Sequence, residues 1–378
     1  MLYSVLPQGQ NTGPVPMVAA LLCLLGLAVN CVIIGPGALK GAYLGQNDFR
    51  QFYVGGKLAV SGNLYNFDRV LEAQRDALGE SNERMMPGRL PFYYAALAPL
   101  GRLPYHVALR LWNGCTILAT ALFVWLSPKA RRAQLAVACC WSLPLVFSTA
   151  IGQDVGFVLL ILVLTLRTLD SEQPLLAGLI LSLCLIKFHL FLLLPLLFLG
   201  KREGRLASGF SIGAAVLLLI SFVAGWDWPR AYLALNLHAV SEDSRLMPTL
   251  HGLADHFPAR DVVEFVLSVA VIGLVWRVVR RADFEVALTA TFLGGLLLTR
   301  HAYLQDCGML VGSLVTLFQR PGNAVVRYCA LVLLLPIPYV LFFMQGGATT
   351  AALFVLLLAA MAWSGVRNGL PLGFEPSR

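Results

Sequence analysis

The chain has 378 residues, 58% of them hydrophobic and only 13% charged, with a formal net charge of +8. A soluble domain carries about a quarter charged residues, so this composition excludes an ordinary water-soluble enzyme and points to a bilayer. The positive excess sits in short loops between apolar stretches, not on a continuous basic surface, and nucleic acid is not an expected partner.

Apolar segments are predicted near 17–39, 105–126, 133–149, 155–169, 174–186, 190–200, 206–225, 261–279, 283–299, 306–319, 328–344 and 349–366. Backbone polar groups in lipid must be satisfied within the segment, so these stretches are helices. The expected fold is an all-α polytopic membrane protein: one integral domain over 1–378, about twelve transmembrane helices and two long extracytoplasmic loops. The first stretch has no charged leading region and no convincing cleavage site, and reads as a retained helix.

The loop after it, 40–88, contains Gln46-Asn47-Asp48-Phe49-Arg50-Gln51-Phe52-Tyr53. A carboxylate just outside an apolar helix and ringed by aromatics is a candidate general base, because desolvation raises its proton affinity. A helix cap is the plain alternative. Phe49, Phe52 and Tyr53 are expected to supply an apolar wall and a sugar-stacking or lipid-facing surface. Leu64 to Leu78 mixes apolar and charged residues at helical spacing, which suits the membrane surface. The Pro-bounded stretch 89–103 reads as interfacial.

Gly152-Gln153-Asp154 lies between two spans, as a capped turn or as polar contacts to the same cavity. The run 174–200 has charged residues at both ends, Arg167 and Asp170 before it and Lys201 to Arg205 after it. A single crossing would place those ends on opposite faces, so the run is expected to break at Lys187-Phe188-His189. Ionisable residues inside an apolar run are costly and mark function. Lys187 as a point charge and His189 as a donor suit a phosphate or diphosphate. The second long loop, 226–260, carries His238, His251 and His256, whose spacing fits no metal template and which read as solvated. In Thr299-Arg300-His301-Ala302-Tyr303-Leu304-Gln305-Asp306, Arg300 and His301 are candidates to neutralise an anionic leaving group. Tyr303, Gln305 and Asp306 are candidates for sugar or acceptor contacts. An interfacial belt with a snorkelling Arg is the alternative.

The short basic loops are Lys129-Ala130-Arg131-Arg132, Lys201-Arg202 with Arg205, Arg277 with Arg280-Arg281, Arg320 with Arg327, and Arg367. The positive-inside rule makes them cytoplasmic and the long, charge-balanced loops extracytoplasmic, in the plasma membrane with both termini inside. The eight cysteines form no CxxC or Cys/His cluster, so neither a disulfide framework nor a zinc site is expected. Phosphate-binding glycine loops and a Gly-x-Ser-x-Gly elbow are absent from the sequence. No metal or other cofactor is expected.

Asp48-Phe49, Gly62-Asn63-Leu64-Tyr65, Pro99-Leu100, Leu103-Pro104-Tyr105, Trp112, Gly152-Gln153, Ala177-Gly178 followed by Lys187, and the cluster ending at Asp306 occur in an order that resembles a known family. It is the DUF2029 glycosyltransferases, family GT87 of the GT-C superfold, whose better-known members build mycobacterial lipoglycans. The resemblance implies a membrane enzyme that takes a hexose or pentose, mannose-like, from a polyprenyl-phosphate donor. The sugar passes with inversion to a lipid or glycan acceptor on the outer side. Asp48 would be the base, and Lys187 with His189 or Arg300-His301 would hold the departing phosphate. Contacts to sugar and acceptor would fall to Phe49, Tyr53, Gln153, Asp154, Tyr303, Gln305 and Asp306. The chain departs from the family pattern in two places. Leu90-Pro91 stands where Tyr-Pro-Pro is common, and Gln305-Asp306 stands where the mannosyltransferase branch has a His pair. A transporter or flippase of a lipid-linked sugar is the rival class, but it usually carries repeat symmetry, which this sequence does not clearly show.

Overall fold

The long apolar runs become helices because no other backbone closes its own hydrogen bonds along a single segment. The computed structural model describes residues 15–79, 85–238, 244–320 and 322–363, and no strand occurs among them. Arg367 lies outside the described residues.

A long helix, α1 (Val15–Tyr43), is followed by three shorter ones, α2 (Phe49–Leu58), α3 (Phe67–Leu78) and α4 (Pro91–Gly101). Next come α5 (Tyr105–Leu126), the bent pair α6 (Arg132–Trp141) and α7 (Leu143–Ala150), and α8 (Val155–Asp170). The run expected to break does so. It forms α9 (Pro174–Ser182), a 3₁₀ stretch Leu183–Leu190 with non-helical dihedrals at Lys187 (φ −125°, ψ 47°), and α10 (Leu194–Lys201). The remainder is α11 (Gly204–Ser221), α12 (Trp228–His238), α13 (Leu250–Ala254), α14 (Arg260–Arg281), α15 (Phe284–Leu298), α16 (Val311–Gln319), α17 (Ala324–Leu334), α18 (Ile337–Gln345) and α19 (Ala348–Trp363).

Among the described residues, four helices are long and apolar enough to cross a membrane: Met17–Tyr43, Tyr105–Leu126, Gly204–Ala224 and Arg260–Arg281. The number rises to six if two bent pairs, at 64° and 66°, each count as one span. Other apolar runs form shorter helices than full crossings require. They are interrupted by proline, as at Ser142-Leu143-Pro144 and Leu335-Pro336, or by a buried charge, as at Lys187.

The core centres on α15, in which every residue from Val286 to Leu297 is buried. A helix that is apolar all round belongs inside a bundle. Its two buried threonines return their hydroxyls to the preceding turn, Thr289 to Glu285 O (2.9 Å) and Thr291 to Ala287 O (2.8 Å). Helices α9 and α11 touch backbone to backbone through Gly178, Gly209 and Gly213. A Cβ on Gly209 would fall 2.0 Å from Leu175 O, so only glycine fits.

The bundle has two unlike ends. The basic short loops gather at the end formed by the C-terminus of α8 and the N-terminus of α15. There Arg131 pairs with Glu285 (2.9 Å) and Arg320 with Asp283, around a cavity of about 1460 Å³. The opposite end carries α2 to α4 and the turns before α8 and after α15. Helix α8 separates the two ends by about 24 Å at 1.5 Å per residue.

Candidate active site

The turn Gln46-Asn47-Asp48 is fastened to the turn between α7 and α8. The Asp48 N–H donates to Ile151 O (3.0 Å), and Asn47 Nδ2 donates to Ala150 O (3.4 Å). Gly152 makes the approach feasible. Its φ is +74°, and a Cβ there would sit 2.8 Å from the Phe49 Cβ. Gln153 follows and reaches across, its Nε2 donating to Asp48 Oδ2 at 2.6 Å.

Asp48 and Asp154 occupy the N-cap positions of α2 and α8, yet neither side chain caps its helix. Both carboxylates are committed to the site instead. Gln153 Oε1 accepts from Lys187 Nζ (3.3 Å) and Arg89 Nη2 (3.4 Å). Lys187 Nζ also meets Asp306 Oδ1 at 2.6 Å and Asp154 Oδ1 at 3.0 Å, and Arg89 Nη2 lies 3.4 Å from Asp154 Oδ1. The second Asp306 oxygen accepts from the Tyr303 N–H (2.9 Å). Segments far apart in sequence thus meet in one buried network of Asp48, Arg89, Gln153, Asp154, Lys187 and Asp306.

Charge balance within this network separates the carboxylates. Asp154 and Asp306 are offset by Lys187 and Arg89 in direct contact. Such pairs are costly to bury and costlier to break, so they set geometry. Asp48 is half-buried and, among the described residues, its side-chain contact is with the neutral Gln153 amide and not with a cation. Burial pushes its carboxyl above the ordinary aspartate range, against the Gln153 hydrogen bond and the charges of Lys187 and Arg89. The arrangement supplies one proton-accepting carboxylate at the rim of a fixed ionic cluster.

Around it, the expected residues divide. His189 is half-buried beside the exposed His301, ring centroids 5.6 Å apart, and His301 adjoins Tyr303 at 5.2 Å. His189 lies within electrostatic reach of Asp306, Lys187 and Arg89. Gln305 is buried. The exposed Arg300 turns to Glu264, with Nε 3.0 Å from Oε1. Phe49 and Tyr53, expected at a sugar-stacking or lipid-facing surface, are both buried. Phe49 is fully buried and stacks on Trp112 (5.8 Å), and the Tyr53 hydroxyl donates to Leu103 O (2.7 Å). They form the apolar wall alone, because α2 turns this face against α4 and α5. His251 also corrects the reading of solvated histidines, since its Nδ1 lies 2.9 Å from Glu264 Oε2 on α14. His256 is exposed, and the side chain of His238 lies outside the described residues.

Arg89 is the residue the sequence did not disclose. It heads the Pro-bounded stretch 89–103, just past the charged loop, where an arginine at an interface carries no signal. In the fold it is buried, its N–H donates to the Tyr94 hydroxyl (3.1 Å), its carbonyl accepts from Tyr65 (2.7 Å), and its guanidinium lies over Phe52 at 5.9 Å.

Helices of membrane-crossing length, with an ionic cluster buried at one end, define an integral membrane protein with a buried polar cluster. Residues 91–304, more than half of the chain, match the family model of Glycosyltransferase family 87, and the chain belongs to that family. Gln153, Asp154 and Lys187 fall inside the match, while Asp48, Arg89 and Asp306 flank it. No curated protein and no solved structure gives a significant match. The chain is therefore a membrane glycosyltransferase by family.

Proposed function

We propose that the chain transfers a mannose-like sugar from a polyprenyl-phosphate donor to a hydroxyl of a lipid or glycan acceptor, with inversion at the anomeric carbon. The observation that carries this reading is the Asp48–Gln153–Lys187 chain of contacts, which sets a proton acceptor beside a buried cationic cluster. Asp48 takes the proton of the acceptor hydroxyl. The acceptor oxygen forms its bond to the anomeric carbon as the carbon–oxygen bond to phosphate breaks. The electron pair departs with the polyprenyl phosphate, on the side away from Asp48, where cations stabilise it. His189 and His301 flank that side, and Asp306, Gln305 and Tyr303 line the approach for sugar hydroxyls.

The reaction takes place on the extracytoplasmic face of the plasma membrane. Support comes from the basic loops, which crowd the end remote from Asp48. On this reading 40–104 is the first outer segment, carrying the base and the interfacial helices α2 to α4, and 226–260 is the second. About twelve membrane-embedded segments, several shorter than a full crossing, complete a GT-C type topology.

The test is transfer by the purified protein in detergent, using a radiolabelled polyprenyl-phosphate mannose and a lipid extract as acceptor. Formation of glycolipid that disappears in Asp48→Asn supports the reading. Unchanged donor with wild-type protein, together with donor movement across vesicles, makes it a transporter instead.

A further inference from the structure

Two cations are buried at the site, and their geometry gives them different tasks. An ammonium has three N–H donors. Those of Lys187 meet Asp306 Oδ1, Asp154 Oδ1 and Gln153 Oε1, at 2.6, 3.0 and 3.3 Å. Two buried carboxylates hold this ammonium, and drawing it to a ligand would strand one of them.

Arg89 presents the opposite case. A guanidinium has five N–H donors in a planar fork. Nη2 makes two contacts, both 3.4 Å, beyond ordinary N–H···O length. Among the described residues Nε and Nη1 meet no acceptor, and neither is among the polar atoms shut off from solvent. The side chain is nonetheless held, about nine-tenths buried, over the Phe52 ring, with its backbone fixed by Tyr94 and Tyr65. It is a preorganised guanidinium with Nε and Nη1 open, a fixed cation that suits contact with a phosphate.

The position suits the chemistry as well. The Gln153 amide touches Asp48 through Nε2 and Arg89 through Oε1, so base and guanidinium are at most about 8 Å apart. In-line displacement brings an attacking oxygen to about 3–3.5 Å from a carbon whose leaving oxygen is bonded on the opposite side, so the two groups are close enough to serve the two sides of one such centre.

We infer that Arg89, through its open N–H donors, binds the phosphate of the prenyl-phosphate sugar, and that Lys187 is a positioning residue which holds Gln153, Asp154 and Asp306. This deepens the transfer reading and rests on it.

The experiment is binding of farnesyl phosphate, a short prenyl phosphate, to the full-length protein in detergent by isothermal titration calorimetry. It runs alongside transfer kinetics on the same preparations. Arg89→Gln is expected to weaken farnesyl phosphate by about tenfold or more, the change expected from a charge-assisted contact. It should also raise the donor KM and weaken inhibition of transfer by farnesyl phosphate, and Arg89→Lys should recover part of each. Lys187→Met, assayed well below its lowered unfolding temperature, is expected to bind farnesyl phosphate within about threefold of wild type while kcat falls. Arg89→Gln binding within threefold of wild type overturns the inference, whatever the folding of the lysine variant. Loss of binding in a folded Lys187→Met also overturns it. If Arg89 governs binding but wild type transfers no sugar, the phosphate site stands and the transfer reading falls. If transfer proceeds and Arg89→Gln changes nothing, the inference alone falls.

Discussion

Replacing Lys187 with methionine tests whether the ionic cluster holds the fold together at the site. The methionine fills most of the side-chain volume, so the change is chiefly electrostatic. Asp154 keeps Arg89 at 3.4 Å, but Asp306 loses its direct cation while only 3% of its surface is exposed. Removing one partner of a buried pair costs about 3–5 kcal/mol, and the remaining Arg89 contact places this variant near 3 kcal/mol. The thermal unfolding temperature in detergent, followed by tryptophan fluorescence, should fall by about 4 °C. Adding Asp306→Asn removes the stranded charge and should restore about 1–2 kcal/mol of that loss, which a double-mutant cycle reads directly. A transition within about 1 °C of wild type, or additive effects of the two substitutions, refutes the reasoning.

Asp48→Asn should abolish transfer while leaving the thermal transition at or above that of wild type. Burial raises the Asp48 pKa in the folded chain, so ionisation costs stability as pH climbs above the unfolded value near 3.9, and an amide avoids that cost at neutral pH; the gain should vanish below that pH. For the same reason the acid limb of kcat/KM should lie above the ordinary aspartate range, with activity rising as Asp48 loses its proton; a limb at or below about 3.9 counts against the base assignment. Gln153→Glu replaces the amide donor facing Asp48 with a second carboxylate and should move that limb to higher pH, measurable in the same profile. Gly152→Ala forces a Cβ into Phe49 at positive φ and should cost about 1 kcal/mol or more, with loss of transfer; unchanged stability and rate would show that the two turns are not clamped together.

Much of the site is legible in the sequence because a polar residue in an apolar run is conspicuous. Lys187 interrupts a hydrophobic stretch, and Gln153-Asp154 and Asp306 stand at the edges of others, so the cost of burying them already signals purpose in the hydropathy pattern. Arg89 has no such contrast, since it stands at the edge between the charged loop 40–88 and the interfacial stretch 89–103, where a snorkelling arginine is ordinary. Phe49 and Tyr53 stand beside the site as expected but face the other way, because adjacency to a carboxylate does not reveal which way a helix turns its face. Arg300 shows the same limit: its partner, Glu264, lies on a different helix. Hydropathy locates the apolar runs but not their crossings, since Pro144, Pro336 and the break at Lys187 divide segments that a hydropathy window reads as continuous.

The attachment of α1 has a mechanical consequence. This helix rests chiefly on α6 and α7, with Asn30 bonded to Cys140 O and Trp141 to Leu22 O, and many of its large apolar side chains stay exposed. It breaks at Gly35, just before Pro36, ahead of the turn that holds Asp48. That turn is bonded to the short piece of α1 beyond the break, Gln46 N–H to Gly41 O (2.8 Å), and to Ile151 and Ala150 at the end of α7. The carboxylate thus takes its register with Gln153 from α7 as well as from α1, while the kink sets the direction in which the long arm leaves the bundle.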